Sequence, residues 1–387
     1  MNTPVPVPAK RLLLLSVSAG AGHVRAAEAL HAWAATIYPQ VRIQHLDAMD
    51  YVPSGFREIY STLYLKLVAR YPTLWSLLYQ SSDKAPPDAM AQKLRRMVER
   101  LNTRALRKAV TEFGPDAVIC THFLPAEILM HETERGRFDR PVWVQVTDFD
   151  LHGLWVMPHM AGYFAANEEV AFRMRRAGIE PSKIHVTGIP VMPAFGFAPE
   201  RAQCAKELGL DPERFTILLM GGGAGLGELD ATAERLLTID PDMQVIALAG
   251  RNADLLEKLQ TLAGKHSGRL SPQGFSDRVE RLMACTDVVV TKPGGLTTSE
   301  CLAMGLPMIV HSPIPGQEER NADYLLEQDA ALKAMDDVGL EYRVWQLVHE
   351  PMLLQRIRDN AKRLGKPAAA RGVLAVVLGK AIGHASA

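Results

Sequence analysis

The sequence is poor in cysteine and has no net charge. Its four cysteines, Cys120, Cys204, Cys285 and Cys301, lie far apart and form no Cys-x-x-Cys pair, which argues against a disulfide framework and a zinc site. Lys and Arg number 43, as do Asp and Glu, and this neutrality argues against the uniform basic field of a nucleic-acid binder. We therefore expect reduced thiols in a cytoplasmic protein, and any charge-based function must be local.

Long apolar runs are absent as well. After Lys10 and Arg11 the run covers only residues 12–15, and no other segment reaches the roughly 18 apolar residues of a spanning helix. The 387 residues are nevertheless 48% hydrophobic, which is enough for a large core. At about 150 residues per domain, two sizeable domains are expected, soluble or attached to a membrane surface.

Two common phosphate-binding motifs are missing. No Gly-Lys pair is followed by Ser or Thr, which excludes a P-loop of the usual form. The dinucleotide fingerprint fails in both glycine-rich loops, because Arg25 and Leu226 stand at the third glycine position. Glycine loops that open helices still present backbone N–H groups to an anion, so the pattern favours diphosphate binding without hydride chemistry.

Strand and helix patterns alternate along the whole chain. The predicted strands are Leu12–Val17, Ala117–Cys120, Val142–Thr147, Ile184–Val186, Phe215–Met220, Gln244–Ala249, Arg269–Leu270, Val288–Val290 and Pro307–Val310. This alternation predicts an α/β protein whose parallel sheets are covered on both faces. A Pro- and Gly-containing pause near residue 200 divides it into two doubly wound, Rossmann-like domains facing a central cleft.

A third glycine loop runs from Thr291 to Glu300 and opens a helix. Glu300 falls about two turns into that helix, where its carboxylate can accept two hydroxyl hydrogens, as from a ribose. The alternative is that the Ser and Thr residues of this loop only cap the helix and that Glu300 is solvated.

A local excess of basic residues interrupts the overall neutrality. Between Lys84 and Lys108 eight basic residues face two acidic ones, for a difference of +6, and five of them share one helix face. Upstream, residues 51–79 hold five tyrosines, and aromatic side chains together with basic ones suit a membrane interface. A solvated basic face beside a packing helix is the alternative. The acceptor and membrane residues predicted here are Tyr60, Tyr64, Trp75, Lys93, Arg96, Arg100 and Arg104.

The triplet Asp148-Phe149-Asp150 spells a DxD pattern, whose carboxylates are spaced so that they could hold Mg²⁺ or Mn²⁺. It ends a strand in the first domain, far in sequence from the glycine loops of the second. We expect a structural or acceptor-side role, and no bound metal or tightly bound cofactor.

In their order along the chain these motifs resemble the monogalactosyldiacylglycerol synthase family and its bacterial relatives, the processive diacylglycerol β-glucosyltransferases. The resemblance covers roughly residues 11–365. The motifs are Gly20–Ala27, Thr147-Asp148-Phe149 with His152 and Trp155, Gly188-Ile189-Pro190, Lys292–Gly295 with Ser299-Glu300, and Pro315–Glu318 with Asn321.

The resemblance implies a glycosyltransferase of the GT-B architecture. It divides the chain into an arm (1–10), an N-terminal acceptor and membrane-binding domain (11–198), a C-terminal UDP-sugar domain (199–365) and a C-terminal helix that packs back on the first domain (366–387). The UDP-sugar is a substrate, and His23 would be the catalytic residue. The implied donor-binding residues are Gly222, Gly223, Ala224, Phe275, Ser276, Gly294, Gly295, Thr297, Glu300, Gln317, Glu318 and Asn321.

Within that set Gly222, Gly223 and Ala224 would face the diphosphate. Phe275 and Ser276 would hold the uracil, Glu300 the ribose, and Gln317, Glu318 and Asn321 the sugar hydroxyls. One departure stands out, because Met192 occupies the position where relatives often have an Arg available to a phosphate. Arg25, Lys292 or backbone N–H groups would then meet the phosphate charge.

The function expected from this resemblance is inverting transfer of glucose or galactose from a UDP-sugar to diacylglycerol, once or repeatedly. The partners would be UDP-sugar, diacylglycerol or its glycosylated form, and the anionic inner face of the cell membrane, with no nucleic acid. Three alternatives stay open: UDP-GlcNAc transfer to a polyprenyl-linked acceptor, a UDP-sugar 2-epimerase, and a non-catalytic UDP-sugar sensor.

Overall fold

A computed structural model of the chain describes residues 10–18, 20–53, 103–197, 199–221, 229–266 and 268–379. These residues form two compact units. Of the described residues, the first unit contains those up to Met192 together with those from Ala368 onward, and the second contains those from Pro193 to Pro367. Each unit is a parallel β-sheet with helices on its faces.

The sheet of the first unit has six parallel strands in the described residues, in the order β2-β1-β3-β4-β5-β6. The strands are β1 (Arg11–Ser16), β2 (Arg42–Asp47), β3 (Ala117–Cys120), β4 (Val142–Gln145), β5 (Gly162–Ala165) and β6 (Ile184–Val186). The helices of this unit are α1 (Ala21–Ile37), α2 (Arg104–Phe113), α3 (Phe123–Glu134), α4 (Glu168–Arg176) and, from the far end of the chain, α13 (Ala369–Val377).

The run of leucines in β1 explains why both faces of this sheet are covered. Successive side chains of a strand point to opposite faces, so a continuous apolar run needs packing on both. Leu12 and Leu14 pack with Leu30 of α1 and Val373 of α13, whereas Leu13 and Leu15 belong to the cluster on the opposite face. The first unit thus takes part of its core from the last described helix.

The sheet of the second unit also has six parallel strands in the described residues, in the order β12-β11-β10-β7-β8-β9. The strands are β7 (Thr216–Met220), β8 (Gln244–Gly250), β9 (Leu270–Gly274), β10 (Val288–Thr291), β11 (Met308–His311) and β12 (Ala331–Ala334). The helices are α5 (Arg201–Glu207), α6 (Leu229–Leu236), α7 (Ala253–Lys265), α8 (Val279–Ala284), α9 (Gly295–Ala303), α10 (Gln317–Glu327), α11 (Asp337–His349) and α12 (Pro351–Leu364).

All strands within a sheet run in one direction, so their carboxyl ends share one edge. The loops that leave this edge carry the ligand-binding residues in sheets of this kind. In each unit the residues that follow the strands are therefore the ones that build a site.

The four cysteines are free and buried. Burial raises the pKa of the Cys120 and Cys301 thiols, and it raises that of Cys285 to about 11. In the parts of the chain that the structure describes, no helix is both long and apolar enough to cross a lipid bilayer.

Candidate functional site

His23 lies in the first turn of α1, just after the carboxyl end of β1. The preceding Gly20 has a φ of 146°, a backbone conformation open to glycine and rarely adopted by other residues. This turn lets the chain leave the strand and enter the helix within a few residues. His23 is half-buried at the carboxyl edge of the first sheet.

Two neighbouring strands provide the partners of the His23 ring. Its Nδ1 lies 2.9 Å from the backbone carbonyl oxygen of Thr121, which follows β3, and 2.9 Å from the hydroxyl oxygen of Thr147, which follows β4. The Thr121 hydroxyl in turn donates to the His23 carbonyl oxygen at 2.8 Å. Three adjacent strands thus fix one ring.

These contacts fix the tautomer of His23. A carbonyl oxygen only accepts hydrogen bonds, so the proton of the neutral ring must be on Nδ1. The opposite nitrogen, Nε2, then carries a lone pair. Among the described residues, no hydrogen-bond partner is found for this Nε2.

Desolvation keeps the His23 ring neutral. Burial lowers its pKa from 6.5 to about 4, although the hydrogen bond to the Thr121 carbonyl acts in the opposite direction. Near neutral pH the ring is therefore available to accept a proton.

A second histidine and two aromatic rings surround His23. The ring centroid of His122 lies 4.6 Å from that of His23 at an interplanar angle of 88°, and the centroid of Trp155 lies 6.2 Å from it. Phe123 contacts both His122, at 4.1 Å between centroids, and Trp155, at 5.9 Å. We call these four residues the His23 cage.

The Asp148-Phe149-Asp150 triplet forms local structural contacts. Asp150 is buried and pairs with Arg173 of α4 at 3.1 Å, and the Phe149 carbonyl oxygen accepts from the Asn167 side chain at 3.4 Å. Within the described residues, no group of three or more His, Cys, Asp or Glu side chains is placed to hold a metal ion.

In the second unit, the predicted uracil residues follow β9. The Phe275 ring is 62% exposed, and the Ser276 hydroxyl accepts a hydrogen bond from the Arg278 N–H at 3.1 Å. Arg251, which follows β8, places its guanidinium carbon 4.3 Å from the centroid of the Phe275 ring. The carboxyl edge of the second sheet therefore presents an exposed aromatic ring with a guanidinium group against it.

The Gly294-Gly295 loop follows β10 and begins α9. No side chain caps this helix, so the N–H groups of its first turn, which includes Thr297, have no side-chain acceptor at the cap. Glu300 is only 8% exposed and has a partner within the structure. The hydroxyl of Thr298 is buried without a hydrogen bond in the described structure.

The residues at the start of α10 tie two loops together. Glu318 accepts a hydrogen bond from the Ile314 N–H at 2.7 Å, and Asn321 donates to the Pro293 carbonyl oxygen at 3.0 Å. Asn321 has no exposed surface, whereas Gln317 is half-buried. The loops after β10 and β11 are therefore joined by side chains that the sequence assigned to the sugar.

Arg104 begins α2 and lines a cavity of about 390 Å³ with Arg107, Arg137 and Glu132. Glu132 accepts from Arg137 at 2.6 and 2.7 Å and from Arg107 at 3.3 Å. Burial raises the pKa of the Glu132 carboxyl, but the hydrogen bonds and charges of the two arginines outweigh it, and the pKa is lowered.

Several predicted residues lie outside the described part of the chain. They are residues 1–9 of the arm, the diphosphate residues Gly222, Gly223 and Ala224, and the membrane residues Tyr60, Tyr64, Trp75, Lys93, Arg96 and Arg100.

Sequence reasoning missed the partners of His23 and Phe275. Thr121, His122 and Arg251 each come directly after a buried strand, the signal that could have singled them out. Thr147 was noticed only as part of a motif, and its contact with His23 joins residues 124 positions apart.

Comparison with known proteins matches both units. Residues 23–191 match the family described as monogalactosyldiacylglycerol (MGDG) synthase, and residues 216–370 match the glycosyltransferase family 28 C-terminal domain. The chain is 30% identical over 362 residues to the processive diacylglycerol β-glucosyltransferase of Bacillus subtilis, covering 92% of this chain and 91% of that protein. It is 29% identical over 384 residues to the chloroplastic monogalactosyldiacylglycerol synthase of Spinacia oleracea, covering 95% of this chain and 72% of that protein.

Solved structures with a similar fold are more distant in sequence. MurG of Acinetobacter baumannii has a TM-score of 0.56 at 14% identity, covering 96% of this chain and all of that one. The UDP-GlcNAc 2-epimerase of Neisseria meningitidis, bound to UDP-GlcNAc, has a TM-score of 0.59 at 12% identity. The match covers 96% of this chain and 100% of that one.

The fold is thus the GT-B fold of UDP-sugar enzymes, and the fold class predicted from the sequence is confirmed. The chain belongs to the monogalactosyldiacylglycerol synthase family of glycosyltransferases, with the processive diacylglycerol β-glucosyltransferases among its relatives, as the sequence motifs predicted.

Proposed function

We propose that this chain transfers a hexose from a UDP-sugar to diacylglycerol with inversion at the sugar carbon, and that it accepts the glycosylated product for further addition. The observation that carries the proposal is the similarity over most of the chain to diacylglycerol glycosyltransferases, joined to a neutral histidine with a free Nε2 in the first unit. The solved structures that bear on the polyprenyl-acceptor and epimerase alternatives are 12–14% identical to this chain and support the fold alone.

His23 is the general base in this proposal. The lone pair of Nε2 takes the proton of the attacking hydroxyl as its oxygen forms the bond to the sugar and the UDP diphosphate leaves. Thr121 and Thr147 act by orienting the ring, because their oxygens hold the Nδ1–H. Because the ring is already held in one orientation, less entropy is lost when the base and the hydroxyl reach the reactive arrangement.

The carboxyl edge of the second sheet takes the donor. The Phe275 ring stacks on the uracil, with Arg251 beside it, and Ser276 contacts the base through backbone groups. Gly294, Gly295 and Thr297 present the first turn of α9 to the diphosphate, as do Gly222, Gly223 and Ala224 by analogy with the family. Glu300 accepts hydrogen bonds from the ribose hydroxyls.

The residues of α10 divide between contact and support. Gln317 and Glu318 reach the sugar hydroxyls, and Glu318 also holds the Ile314 N–H. We assign Asn321 to holding the Pro293 carbonyl, because its side chain is fully buried in that contact. No residue is assigned to a metal, and the diphosphate charge is met by N–H groups and by Lys292.

An anionic surface of the membrane's inner face is the partner we propose for α2. Arg104 and Arg107 lie in the first turn of this helix, and the sequence spacing predicts that they share one face with Lys93, Arg96 and Arg100. Such a stripe attracts acidic headgroups with a strength that salt reduces. Reversing Arg96, Arg100 and Arg104 to Glu should weaken sedimentation with acidic vesicles at low salt, and unchanged sedimentation would leave the stripe solvated.

The test of the proposed function is incubation with labelled UDP-glucose or UDP-galactose and vesicles that contain diacylglycerol and anionic lipid. Labelled glycolipid from one donor supports the proposal, and a ladder of products supports repeated addition. Bound UDP without labelled lipid from either donor would contradict it.

A variant at His23 separates catalysis from binding. His23→Ala should lower turnover by about 10²- to 10⁴-fold with UDP affinity close to that of the wild type, as expected for loss of a general base. The exposed His349→Ala serves as a matched control and should turn over normally. Undiminished turnover of His23→Ala would remove His23 from the mechanism.

A further inference from the structure

His122 is held in the opposite tautomer to His23. It is the N-cap residue of α3, and its Nδ1 accepts a hydrogen bond from the Leu124 N–H at 3.0 Å. A nitrogen that accepts carries no proton, so the proton of the neutral ring is on Nε2. Backbone groups thus make one ring of the pair an acceptor at Nε2 and the other a donor at Nε2.

The rings of His23 and His122 lie next to each other because they follow adjacent strands. β1 and β3 are neighbours in the sheet, and the two ring centroids are 4.6 Å apart with nearly perpendicular planes. Within the described residues, neither Nε2 has a hydrogen-bond partner. In the part of the chain that the structure describes, His122 Nε2 is not among the buried side-chain atoms that lack a partner, so it retains accessible surface where a ligand oxygen can accept its proton.

The apolar surroundings of His122 favour a ligand with apolar groups. His122 is only 3% exposed, and Phe123 and Trp155 lie against its ring. A donor bordered by these rings favours an oxygen atom that carries apolar groups over a freely hydrated sugar. The His23 cage therefore offers one proton acceptor, one proton donor and apolar walls.

Diacylglycerol has the matching set of atoms. It carries one hydroxyl, and all its other oxygens belong to esters, which accept hydrogen bonds and cannot donate them. The ester on the central carbon is the one next to the reacting hydroxyl. We propose that His122 Nε2–H donates a hydrogen bond to this central ester while the hydroxyl donates to His23 Nε2, which makes His122 the residue that orients the acceptor. The assignment rests on the proposed function.

The test compares two acceptors and two variants. 1,2-Dioctanoylglycerol in detergent micelles is set against an all-carbon analogue, in which an alkyl chain replaces the central ester and the reacting hydroxyl is kept. We expect the wild type to lose about tenfold in kcat/KM with the analogue, as for loss of one buried hydrogen bond. His122→Ser should show the same kcat/KM with both acceptors, because the substitution removes the Nε2–H. The serine hydroxyl keeps the helix cap.

Controls separate this role from folding. Asp336→Ser exchanges one capping side chain for another on α11, where Asp336 accepts from the Gly339 N–H at 2.7 Å, and should retain the tenfold discrimination. Equal discrimination by His122→Ser and the wild type would overturn the assignment.

Nitrogen NMR of ¹⁵N-histidine-labelled protein gives a readout other than activity. The His122 signals, identified by their loss in His122→Ser, should be those of the Nε2–H tautomer and should shift with dioctanoylglycerol and not with the analogue. A His122 Nδ1–H tautomer, or no selective shift, would overturn the proposal.

The outcomes distinguish the two proposals. A selective shift without glycolipid formation supports the His122 assignment and contradicts the transferase. Glycolipid formation without discrimination between the two acceptors contradicts His122 alone.

Discussion

At the scale of single residues, the His23 cage shows how a proton acceptor is prepared by its backbone. The Thr121 carbonyl selects the tautomer, and burial lowers the pKa to about 4. The sequence made His23 a candidate because its glycine loop is a local motif that resembles one of the family. It gave no means to find Thr121 or Thr147, which lie 98 and 124 residues away and meet His23 only when three strands align.

The lowered pKa of His23 predicts how stability depends on pH. In the unfolded chain the ring titrates near 6.5, whereas in the folded chain it stays neutral down to about 4. Between these values the unfolded state binds more protons, so the free energy of unfolding falls as the pH drops from 6.5 towards 4. Urea unfolding from pH 7 to 5 should show this loss, with a shallower slope in His23→Gln. Parallel slopes would mean that the ring titrates alike in both states.

Glu300 predicts a selective effect on ribose. Glu300→Gln should weaken UDP binding, because the neutral amide is a poorer acceptor for two hydroxyls. The loss should be much smaller for 2′-deoxy-UDP, which lacks one of those hydroxyls. Isothermal titration of both ligands against both proteins measures the coupling. Equal losses for the two ligands would place Glu300 away from the ribose.

At the scale of elements, the sequence predicted the strands that carry apolar runs and missed three others. β2 and β12 lie at sheet edges, and their sequences, RIQHLD and ALKA, mix polar and apolar residues because one side of an edge strand meets solvent. β5 is internal but short, and it begins with Gly162, whose missing side chain accommodates the ring of Trp143. A strand of four residues is too short for a hydrophobic periodicity to be recognised in the sequence.

Packing of α12 against α9 gives a prediction for glycine. A Cβ on Gly365, just beyond α12, would collide with the backbone carbonyl of Leu302 in α9. Gly365→Ala should therefore lower the free energy of unfolding by about 1–3 kcal/mol, as overpacking does. Gly264→Ala in α7 is the matched control, since no atom lies within 4 Å of its added Cβ, and a small gain is expected there. Thermal unfolding of the two variants should move in opposite directions, and a neutral Gly365→Ala would show that the two helices separate easily.

At the scale of the whole molecule, the first unit depends on both parts of the chain that it contains. Leu374 of α13 is fully buried in the cluster that includes Leu12 of β1 and Trp33 of α1. The sequence predicted where the second sheet begins from a pause in its pattern. The amphipathic pattern also predicted a last helix, but such a pattern does not say which surface the helix covers.

Leu374→Ala should destabilise the first unit by about 2–5 kcal/mol through loss of burial and the cavity that remains. Leu347→Ala, in the core of the second unit, is the matched variant. Calorimetry with and without UDP should separate the two, because a ligand raises the transition of the unit that binds it. We expect Leu374→Ala to lower the transition that UDP does not raise, and a shift confined to the other transition would contradict the division of the core described above.

The packing of α13 on α1 also has a consequence for synthesis on the ribosome. β1 and α1 are made before α13, so part of one face of their sheet stays uncovered until Ala370, Val373 and Leu374 leave the exit tunnel. The described residues of the second unit, by contrast, all lie between Pro193 and Pro367 and hold their own core, so they can fold while the first unit is still incomplete. The newly made chain therefore keeps leucines such as Leu12 and Leu14 partly exposed until α13 has been made, and chaperones that bind apolar segments have a long opportunity to bind at β1.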